Sequence, residues 1–369
     1  MDDYRTHTEI NLGAIRWNAE AIKTSTGKRL IAVVKADAYG HSVAPVTKVL
    51  RGVADMFAVA TVEEGIELRQ VGVQEPILVL FSSLLEQASQ VVEYGLVPTI
   101  GDWEFANRLN AVASNTISVH VNINTGMNRY GVHWTKAAQF LNRLKTLDRL
   151  EVEGLFTHLA TADEADKSYV FVQIERFASV LKKIPNGGEL IHAANSAATL
   201  SVPESHFSAV RPGLVLYGVY PASERPITLE PALTWKARIG WIGSLSEGEG
   251  VSYGLTYKTS HQTRVAMVQV GYGDGYPRAL SNVGEVLISG VRRPIVGSVC
   301  MDVSIVRLEP TDNVSIGDEV VLIGKQGDAE ITVGELAHRA GTISYEILTQ
   351  IGTRVPRIFK NESSNRKTP

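Results

Sequence analysis

Up to about residue 220, short apolar runs alternate with amphipathic stretches such as 62–72 and 168–184. Another helical stretch, at 11–22, precedes the first run. Eight runs have the length and the Val and Ile content of buried strands: Leu30–Val34, Met56–Ala60, Ile77–Phe81, Leu96–Ile100, Ile117–Ile123, Val152–Thr157, Glu189–Ala193 and Ala209–Leu216. Eight strands with intervening helices predict an α/β fold, an N-terminal (β/α)8 barrel of the TIM type. An open doubly wound sheet is the alternative, but it usually has fewer strands and the chain lacks its G-x-G-x-x-G turn.

After the proline-containing stretch PASERPITLEP, at 221–231, the pattern changes to strand-like runs separated by turns. Glycine-containing turn signals occur at 247–248, 273–275, 289–290 and 317–318. One helical patch interrupts these runs, at 332–351. We therefore predict a barrel at residues 1–225, a mostly β domain at 226–360 and a disordered polar tail at 361–369.

Composition and charge exclude several classes of function. The chain is 44% apolar and 20% charged with a net charge of −3, which is typical of a globular protein without a nucleic-acid surface. No apolar stretch approaches the roughly 18 residues of a membrane span, and the N-terminus is unlike a secretory signal. Cys300 is the only cysteine, and the histidines lack metal-ligand spacing. These features favour a cytoplasmic protein without a metal site.

Functional groups of such barrels follow the carboxyl ends of the strands, and Lys35 follows the first of them. A lysine that ends an apolar run is partly desolvated, which favours its neutral, nucleophilic form. Such an amine can form a Schiff base with an aldehyde cofactor. The alternative is a lysine that merely extends its amine to water.

The fifth predicted strand alternates apolar and polar residues, with Ser118, His120, Asn122 and Asn124 on one face. The apolar face would pack on the helices, so the polar face would point into the barrel. Buried amides either bond one another and water or line a site. Arg129 follows this strand and can clamp a carboxylate or a cofactor oxygen.

The last three predicted strands end in residues suited to a phosphate-bearing cofactor. His158 follows the sixth strand, and Asn195 and Ser196 open a helix after the seventh. A serine in that position is often only an N-cap, but barrels commonly bind phosphate there. After the eighth strand, Gly213 lets backbone amides approach a phosphate, and Arg211 lies beside it.

The motifs VVKADAYGH, TGMNRYG, THLATAD, HAANSAA and VRPG, followed by VSYGLTY, VGYGDGYPR, VCMD and TISYEI, cover nearly the whole chain. In this order they resemble the alanine racemase family. The resemblance implies a barrel that binds pyridoxal 5'-phosphate, followed by a β domain. It also implies a homodimer in which the partner's second domain completes each site.

Residue by residue, the resemblance implies two catalytic groups on opposite faces of the substrate: Lys35, which also binds the cofactor, and Tyr253 of the other subunit. It assigns Tyr39, Ser196, Gly213 and Tyr345 to the phosphate, Arg211 to the pyridine nitrogen, and His158 to a link between Arg211 and Tyr253. Asn195 would belong to the same cofactor site. Arg129 and the backbone of Met301 would bind the substrate carboxylate, and Tyr272 would line the entrance.

The implied function is the interconversion of L- and D-alanine, which supplies D-alanine for cell-wall peptidoglycan. Within this function, serine or a broader range of amino acids is the alternative substrate. Outside it, the alternatives are a related decarboxylase and a non-catalytic carrier of the cofactor. The decarboxylases lack a tyrosine in the VSYGLTY setting, and the carriers are usually a single barrel.

One position departs from the family's pattern. Many members have a lysine, often carbamylated, seven residues before the arginine of TGMxR, and an aspartate two residues after that lysine. Here these positions are Asn122 and Asn124. An amide cannot form a carbamate, so Arg129 must be positioned differently. We expect an anion such as chloride, or water, near Asn122 and Arg129.

Overall fold

The computed structural model describes residues 4–184 and 190–361. The chain divides into two compact units. The β-rich unit contains the described residues within Met1–Ala14, Tyr39–His41 and Pro231–Ser363. The barrel unit contains those within Ile15–Ala38 and Ser42–Glu230. Among the described residues, no helix is both long enough and apolar enough to cross a membrane.

The strands and helices are numbered along the chain. The strands are β1 Thr6–Asn11, β2 Arg29–Val33, β3 Met56–Val59, β4 Ile77–Val79, β5 Val97–Ile100, β6 Ile117–Asn124, β7 Val132–His133, β8 Leu150–Phe156, β9 Leu190–His192, β10 Ala209–Val210, β11 Leu233–Leu245, β12 Gly250–Val251, β13 Tyr257–Lys258, β14 Thr263–Val268, β15 Glu285–Ile288, β16 Val291–Pro294, β17 Ser304–Leu308, β18 Glu319–Gln326, β19 Ala329–Ile331 and β20 Arg357–Lys360. The helices are α1 Leu12–Thr26, α2 Lys35–Gly40, α3 Val43–Leu50, α4 Val62–Gln70, α5 Ala88–Glu93, α6 Trp103–Val112, α7 Ala137–Leu144, α8 Ser168–Leu181, α9 Ser196–Ser201, α10 Val333–Ala340 and α11 Ser344–Gln350.

Eight parallel strands close into a barrel in the order β5-β4-β3-β2-β10-β9-β8-β6, and β6 pairs back onto β5. Strands β3, β4 and β5 are buried throughout, as expected of a parallel sheet covered on both faces. The predicted TIM-type barrel is confirmed and the open doubly wound sheet is excluded. Each of the eight predicted runs overlaps one barrel strand.

The eighth barrel strand is shorter than predicted, because it ends at Val210 instead of continuing to Leu216. Pro212 lacks a backbone N–H and cannot extend the ladder of hydrogen bonds. The apolar residues of Leu214–Tyr217 instead form a buried 3₁₀ turn. Glu189, at the start of the seventh predicted strand, lies outside the described residues.

The β-rich unit includes the first strand of the chain, which differs from the predicted barrel domain of residues 1–225. Strand β1 pairs with β11 in antiparallel fashion and with β20 in parallel fashion. Thr6, Thr8 and Ile10 of β1 are buried. Two of these three are polar, so the strand gives no apolar run in the sequence. The predicted tail lies outside the described residues except for Asn361.

The helical patch at 332–351 forms α10 and α11, and the rest of this unit is mostly strand, as predicted. Thr332 caps α10 by accepting a hydrogen bond from the Glu335 N–H at 3.0 Å. Gly341 ends the helix in a left-handed conformation with a φ of 69°.

Candidate active site

Lys35 opens a left-handed helical turn directly after β2. The residues Ala36–Tyr39 have φ values between 51° and 54°, although none of them is glycine. The Ala38 N–H donates to the Val34 carbonyl at 2.9 Å. A left-handed conformation costs about 1–2 kcal/mol for each L-residue, so such a run persists only where its surroundings enforce it. Strain of this kind clusters at functional sites, and here it follows the candidate lysine.

Glu64, near the start of α4, binds the backbone of the left-handed turn that follows β2. Its carboxylate accepts hydrogen bonds from the Ala36 N–H at 2.7 Å and from the Ala60 N–H at 2.6 Å. Thr61 and Glu64 form a capping box at the start of α4. The backbone of Ala36 is therefore anchored to the start of α4, which follows the neighbouring barrel strand β3. In the sequence, Glu64 has only the signature of a capping residue, so no pattern there indicates its bond to Ala36.

Lys35 is half-buried, and burial lowers its pKa. The positive charges of Arg129 and Arg211 lower the pKa further, and only Glu64 opposes them. The neutral amine is the nucleophilic form, so this environment favours attack on an aldehyde. The Lys35 side chain is half-buried and its amine lies 5.6 Å from the centroid of the Phe81 ring.

The side chains of Lys35 and Arg129 both lie over the ring of Phe81. The Lys35 Nζ lies 5.6 Å from the Phe81 centroid, and the Arg129 Cζ lies 4.7 Å from it. Both distances are within the reach of cation–π attraction. No pattern in the sequence indicates this role of Phe81, since a phenylalanine that ends an apolar run is indistinguishable from an ordinary core residue.

The two asparagines near Arg129 build the turn that carries it. The Asn124 Oδ1 accepts hydrogen bonds from the Gly126 N–H and the Asn128 N–H, both at 3.1 Å. The Asn122 Nδ2 donates to the Tyr130 carbonyl at 3.2 Å. Within the described part of the chain, Arg129 makes no hydrogen bond or ion pair with another residue. Its orientation therefore does not depend on an acidic partner.

A row of imidazoles inside the barrel leads to Arg211, which is buried. The His120 Nδ1 lies 2.9 Å from the His192 Nε2, and the His192 Nδ1 lies 2.6 Å from the Arg211 Nη1. The Arg211 Nη2 donates to the Thr157 carbonyl at 3.0 Å and lies 3.2 Å from the His158 Nδ1. The predicted polar inner face of the fifth strand is thus present at His120, and Arg211 and His158 are brought together.

The guanidinium group fixes the proton positions along this row. Arginine has donors only, so the His192 Nδ1 must accept and its proton must lie on Nε2. That proton points to the His120 Nδ1, which must accept in turn. Burial, and then the charge of Arg211, lower the pKa of His120 to about 3. The same causes hold the pKa values of His192 and His158 well below the usual range. Arg211 therefore keeps its charge among neutral imidazoles.

Ser196 and Gly213, predicted to bind one phosphate, are adjacent. The Ser196 Oγ accepts a hydrogen bond from the Gly213 N–H at 2.9 Å, and Ser196 is buried. The N-cap of α9 is Asn195, whose Oδ1 accepts from the Ala198 N–H at 3.0 Å. Ser196 is therefore not the cap, and its hydroxyl faces the loop after β10.

The remaining predicted residues lie in the β-rich unit. The rings of Tyr39 and Tyr345 are 6.0 Å apart, which brings these two together. Tyr253 is 76% exposed, an unusual state for so large a ring. Met301 and Tyr272 are exposed as well.

Backbone hydrogen bonds place Tyr272 beside Met301. The Tyr272 N–H donates to the Cys300 carbonyl at 3.0 Å, and the Gly273 N–H donates to the Met301 carbonyl at 2.8 Å. The segment of Tyr253 is joined to the same region, because the Ser298 hydroxyl donates to the Tyr253 carbonyl at 2.8 Å. The three exposed side chains therefore belong to neighbouring loops of one unit.

The chain is similar to known proteins over nearly its whole length. The family models for the N-terminal and the C-terminal domain of alanine racemase match residues 10–221 and 232–359. An alanine racemase of Halothermothrix orenii is 42% identical, over 97% of this chain and 97% of its own.

Solved structures of alanine racemases are similar to this chain as well. An alanine racemase of Clostridium difficile has a TM-score of 0.92 and 36% identity, over 98% of this chain and 97% of its own. One from Bartonella henselae, with covalently bound pyridoxal phosphate, has a TM-score of 0.90 and 27% identity, over 97% of this chain and 100% of its own. The resemblance noted in the sequence is confirmed: the chain belongs to the alanine racemase family, whose members are isomerases.

Proposed function

We propose that the chain interconverts L- and D-alanine with pyridoxal 5'-phosphate, in the cytoplasm, and supplies D-alanine for peptidoglycan. The observation that carries this proposal is the position of Lys35, which is half-buried at the carboxyl end of β2 and opens a left-handed turn there. Burial and the charges of Arg129 and Arg211 lower the pKa of its amine as well. Membership in the family and the covalently bound cofactor of the Bartonella henselae relative support it.

The donor set of the barrel unit fits this cofactor. Lys35 supplies the amine for its aldehyde, and Arg211 suits its ring nitrogen. The Ser196 hydroxyl accepts from the Gly213 N–H and keeps its own proton to donate to the phosphate. Asn195 supports Ser196 from the cap of α9. Our assignment of Tyr39 and Tyr345 to the phosphate rests on the resemblance and stays a prediction.

When bound, the cofactor supplies an electron sink that makes the proton on the substrate's α-carbon acidic. Inversion then needs a proton acceptor on one face and a donor on the other. We assign the Lys35 amine to one face and the Tyr253 phenol of the partner subunit to the other. Arg211 cannot release its proton, and its imidazole neighbours are neutral, so this end of the site holds a fixed positive charge.

A homodimer follows from the role of Tyr253. This tyrosine is 76% exposed, and its ring is available to a second copy of the chain. We propose that His158 and Arg211 of one subunit orient the phenol of the other.

We assign the substrate carboxylate to Arg129 and to the backbone of Met301, with Tyr272 lining the entrance. Arg129 has no acidic partner among the described residues, which leaves its charge for a carboxylate or a small anion. We propose that chloride occupies the space near Asn122 and Arg129. Replacing chloride by gluconate in the assay buffer should then raise the KM for alanine, and an unchanged KM would argue for water instead.

The decisive test follows the enantiomers directly. The purified protein, with pyridoxal 5'-phosphate, is incubated with L-alanine, and D-alanine is measured with a D-amino-acid oxidase. Lys35→Ala should abolish the reaction, while His133→Gln, at an exposed site, serves as control. Parallel assays with serine, lysine and arginine decide between alanine and a broader substrate range. Carbon dioxide release without inversion would instead indicate a decarboxylase.

A further inference from the structure

Two basic side chains that follow different barrel strands lie over the aromatic ring of a residue that follows a third strand. Lys35 follows β2, Phe81 follows β4 and Arg129 follows β6, so all three lie at the carboxyl ends of parallel strands. Phe81 is half-buried, with the Arg129 Cζ at 4.7 Å and the Lys35 Nζ at 5.6 Å from its centroid. Attraction of a cation to a ring is appreciable within about 6 Å. The ring therefore lies next to both the Arg129 guanidinium group and the Lys35 amine.

The Phe81 ring is itself held in place by Tyr130. The two centroids are 5.4 Å apart with the rings tilted by 38°. Burial raises the pKa of Tyr130 to about 12, although the positive charges of Arg211 and Arg129 oppose the rise. The phenol thus stays protonated. The Tyr130 backbone is held by the Asn122 Nδ2, which donates to its carbonyl at 3.2 Å, so Phe81 packs against a ring whose backbone is anchored to β6.

Arg129 needs such support, because it is exposed and has neither a hydrogen bond nor an ion pair among the residues that the structure describes. An acidic partner would orient the guanidinium group but would also occupy its N–H edge. An aromatic ring contacts the flat face and leaves the edge to a carboxylate. The two interactions use different sides of one group, so they do not compete.

We propose that Phe81 is a positioning residue for Arg129, which holds the guanidinium group by its face so that its edge can bind the substrate carboxylate. This inference rests on the proposed function and adds a specificity determinant to it. It explains how Arg129 is oriented in a chain that has Asn122 and Asn124 where an acidic group would otherwise serve.

The test compares Phe81→Leu, which removes the ring but keeps an apolar side chain, with Phe81→Tyr, which keeps the ring. In Phe81→Leu we expect the KM for alanine to rise about tenfold, or ~1.4 kcal/mol, while kcat stays within about twofold. Phe81→Tyr should restore the wild-type KM. Phe171→Leu, at an exposed site on α8, is the matched control for loss of a phenylalanine.

A binding measurement separates this inference from the proposed function. Propionate, which is alanine without its amino group, is titrated into the purified protein by calorimetry. Its affinity should fall about tenfold in Phe81→Leu and less than threefold when the same change is made in an Arg129→Met background. A wild-type protein that binds propionate but does not racemise alanine would overturn the function and leave this inference standing. Equal propionate affinity in Phe81→Leu and wild type would overturn the inference, as would a lower kcat with an unchanged KM.

Discussion

His120 makes the stability of the barrel depend on pH. Its pKa is lowered to about 3, so the folded protein keeps it neutral, whereas the unfolded chain binds a proton below about pH 6.5. The unfolded state then holds more protons than the folded state, and the free energy of unfolding falls as pH decreases from about 6.5 towards 3. Each such histidine contributes about 1.4 kcal/mol per pH unit in that window.

We therefore expect His120→Asn to reduce the slope of unfolding free energy against pH, by about half a proton at pH 6.5 and by nearly one proton at about pH 5. The slope comes from urea denaturation at several pH values. His133→Asn, at an exposed position, is the matched control. Equal slopes in His120→Asn and wild type would contradict the assignment of a neutral, buried imidazole.

Gly154 of β8 gives His120 its space. A β-carbon at this position would lie 2.5–2.6 Å from the ring atoms of His120. We expect Gly154→Ala to displace the imidazole, to disturb its bond to His192 and to cost about 1–3 kcal/mol of stability. Gly334→Ala in α10 is the control, because its nearest neighbours are 3.9–4.0 Å away. Thermal denaturation measures both, and a neutral Gly154→Ala would show that the ring can move without cost.

At the scale of elements, glycine normally destabilises a helix relative to alanine, but the left-handed turn after β2 should show the opposite effect. Ala36 has a φ of 52°, a conformation that glycine adopts without the penalty of a side chain. Ala36→Gly should therefore stabilise the protein by up to about 1 kcal/mol. Ala111→Gly, at an exposed position of the right-handed helix α6, should destabilise it by about 1 kcal/mol. Opposite signs in urea denaturation support the turn, and a loss of stability in both variants contradicts it.

Glu64 couples this turn to α4, and it also raises the pKa of Lys35. In Glu64→Gln an acceptor for the Ala36 N–H remains but the negative charge is lost. The pKa of Lys35 should then fall further, and the amine should become reactive at lower pH. The rate of reductive methylation of Lys35, followed against pH by mass spectrometry, measures this shift. An upward shift would exclude Glu64 as the opposing charge.

The elements that the sequence predicts well are those with a repeated signal. Eight apolar runs predict eight barrel strands, because parallel strands covered on both faces must be apolar throughout. Lys35 and the pair of Arg211 and His158 follow from the rule that functional groups lie at strand ends. Phe81, Glu64 and His192 do not follow from it, because a ring, a capping acid and a strand residue each have an ordinary explanation. Their roles depend on contacts across the barrel, which a sequence pattern does not contain.

For the whole molecule, the proposed dimer predicts complementation between two inactive variants. Lys35→Ala and Tyr253→Phe should each lose nearly all activity. In a mixed dimer of the two, one site has both mutations and the other has an intact lysine and an intact tyrosine. Random mixing should therefore restore about one quarter of the wild-type activity. If each site is built within one chain, mixing restores none, and a racemase assay after joint refolding distinguishes the outcomes.

Strand β1 pairs with β11 and with β20, whose residues come more than 200 and about 350 positions later in the chain and are therefore synthesised much later. During synthesis the barrel's own strands can therefore assemble while β1 still waits for partners. An unpaired strand is a template for pairing with other chains, so this interval is the one most exposed to aggregation. Five of the six residues of β1, THTEIN, are polar, so the unpaired segment associates less readily with other chains than an apolar strand would. The polar composition of β1, which leaves the strand without an apolar run, therefore also lowers the tendency of the nascent chain to aggregate.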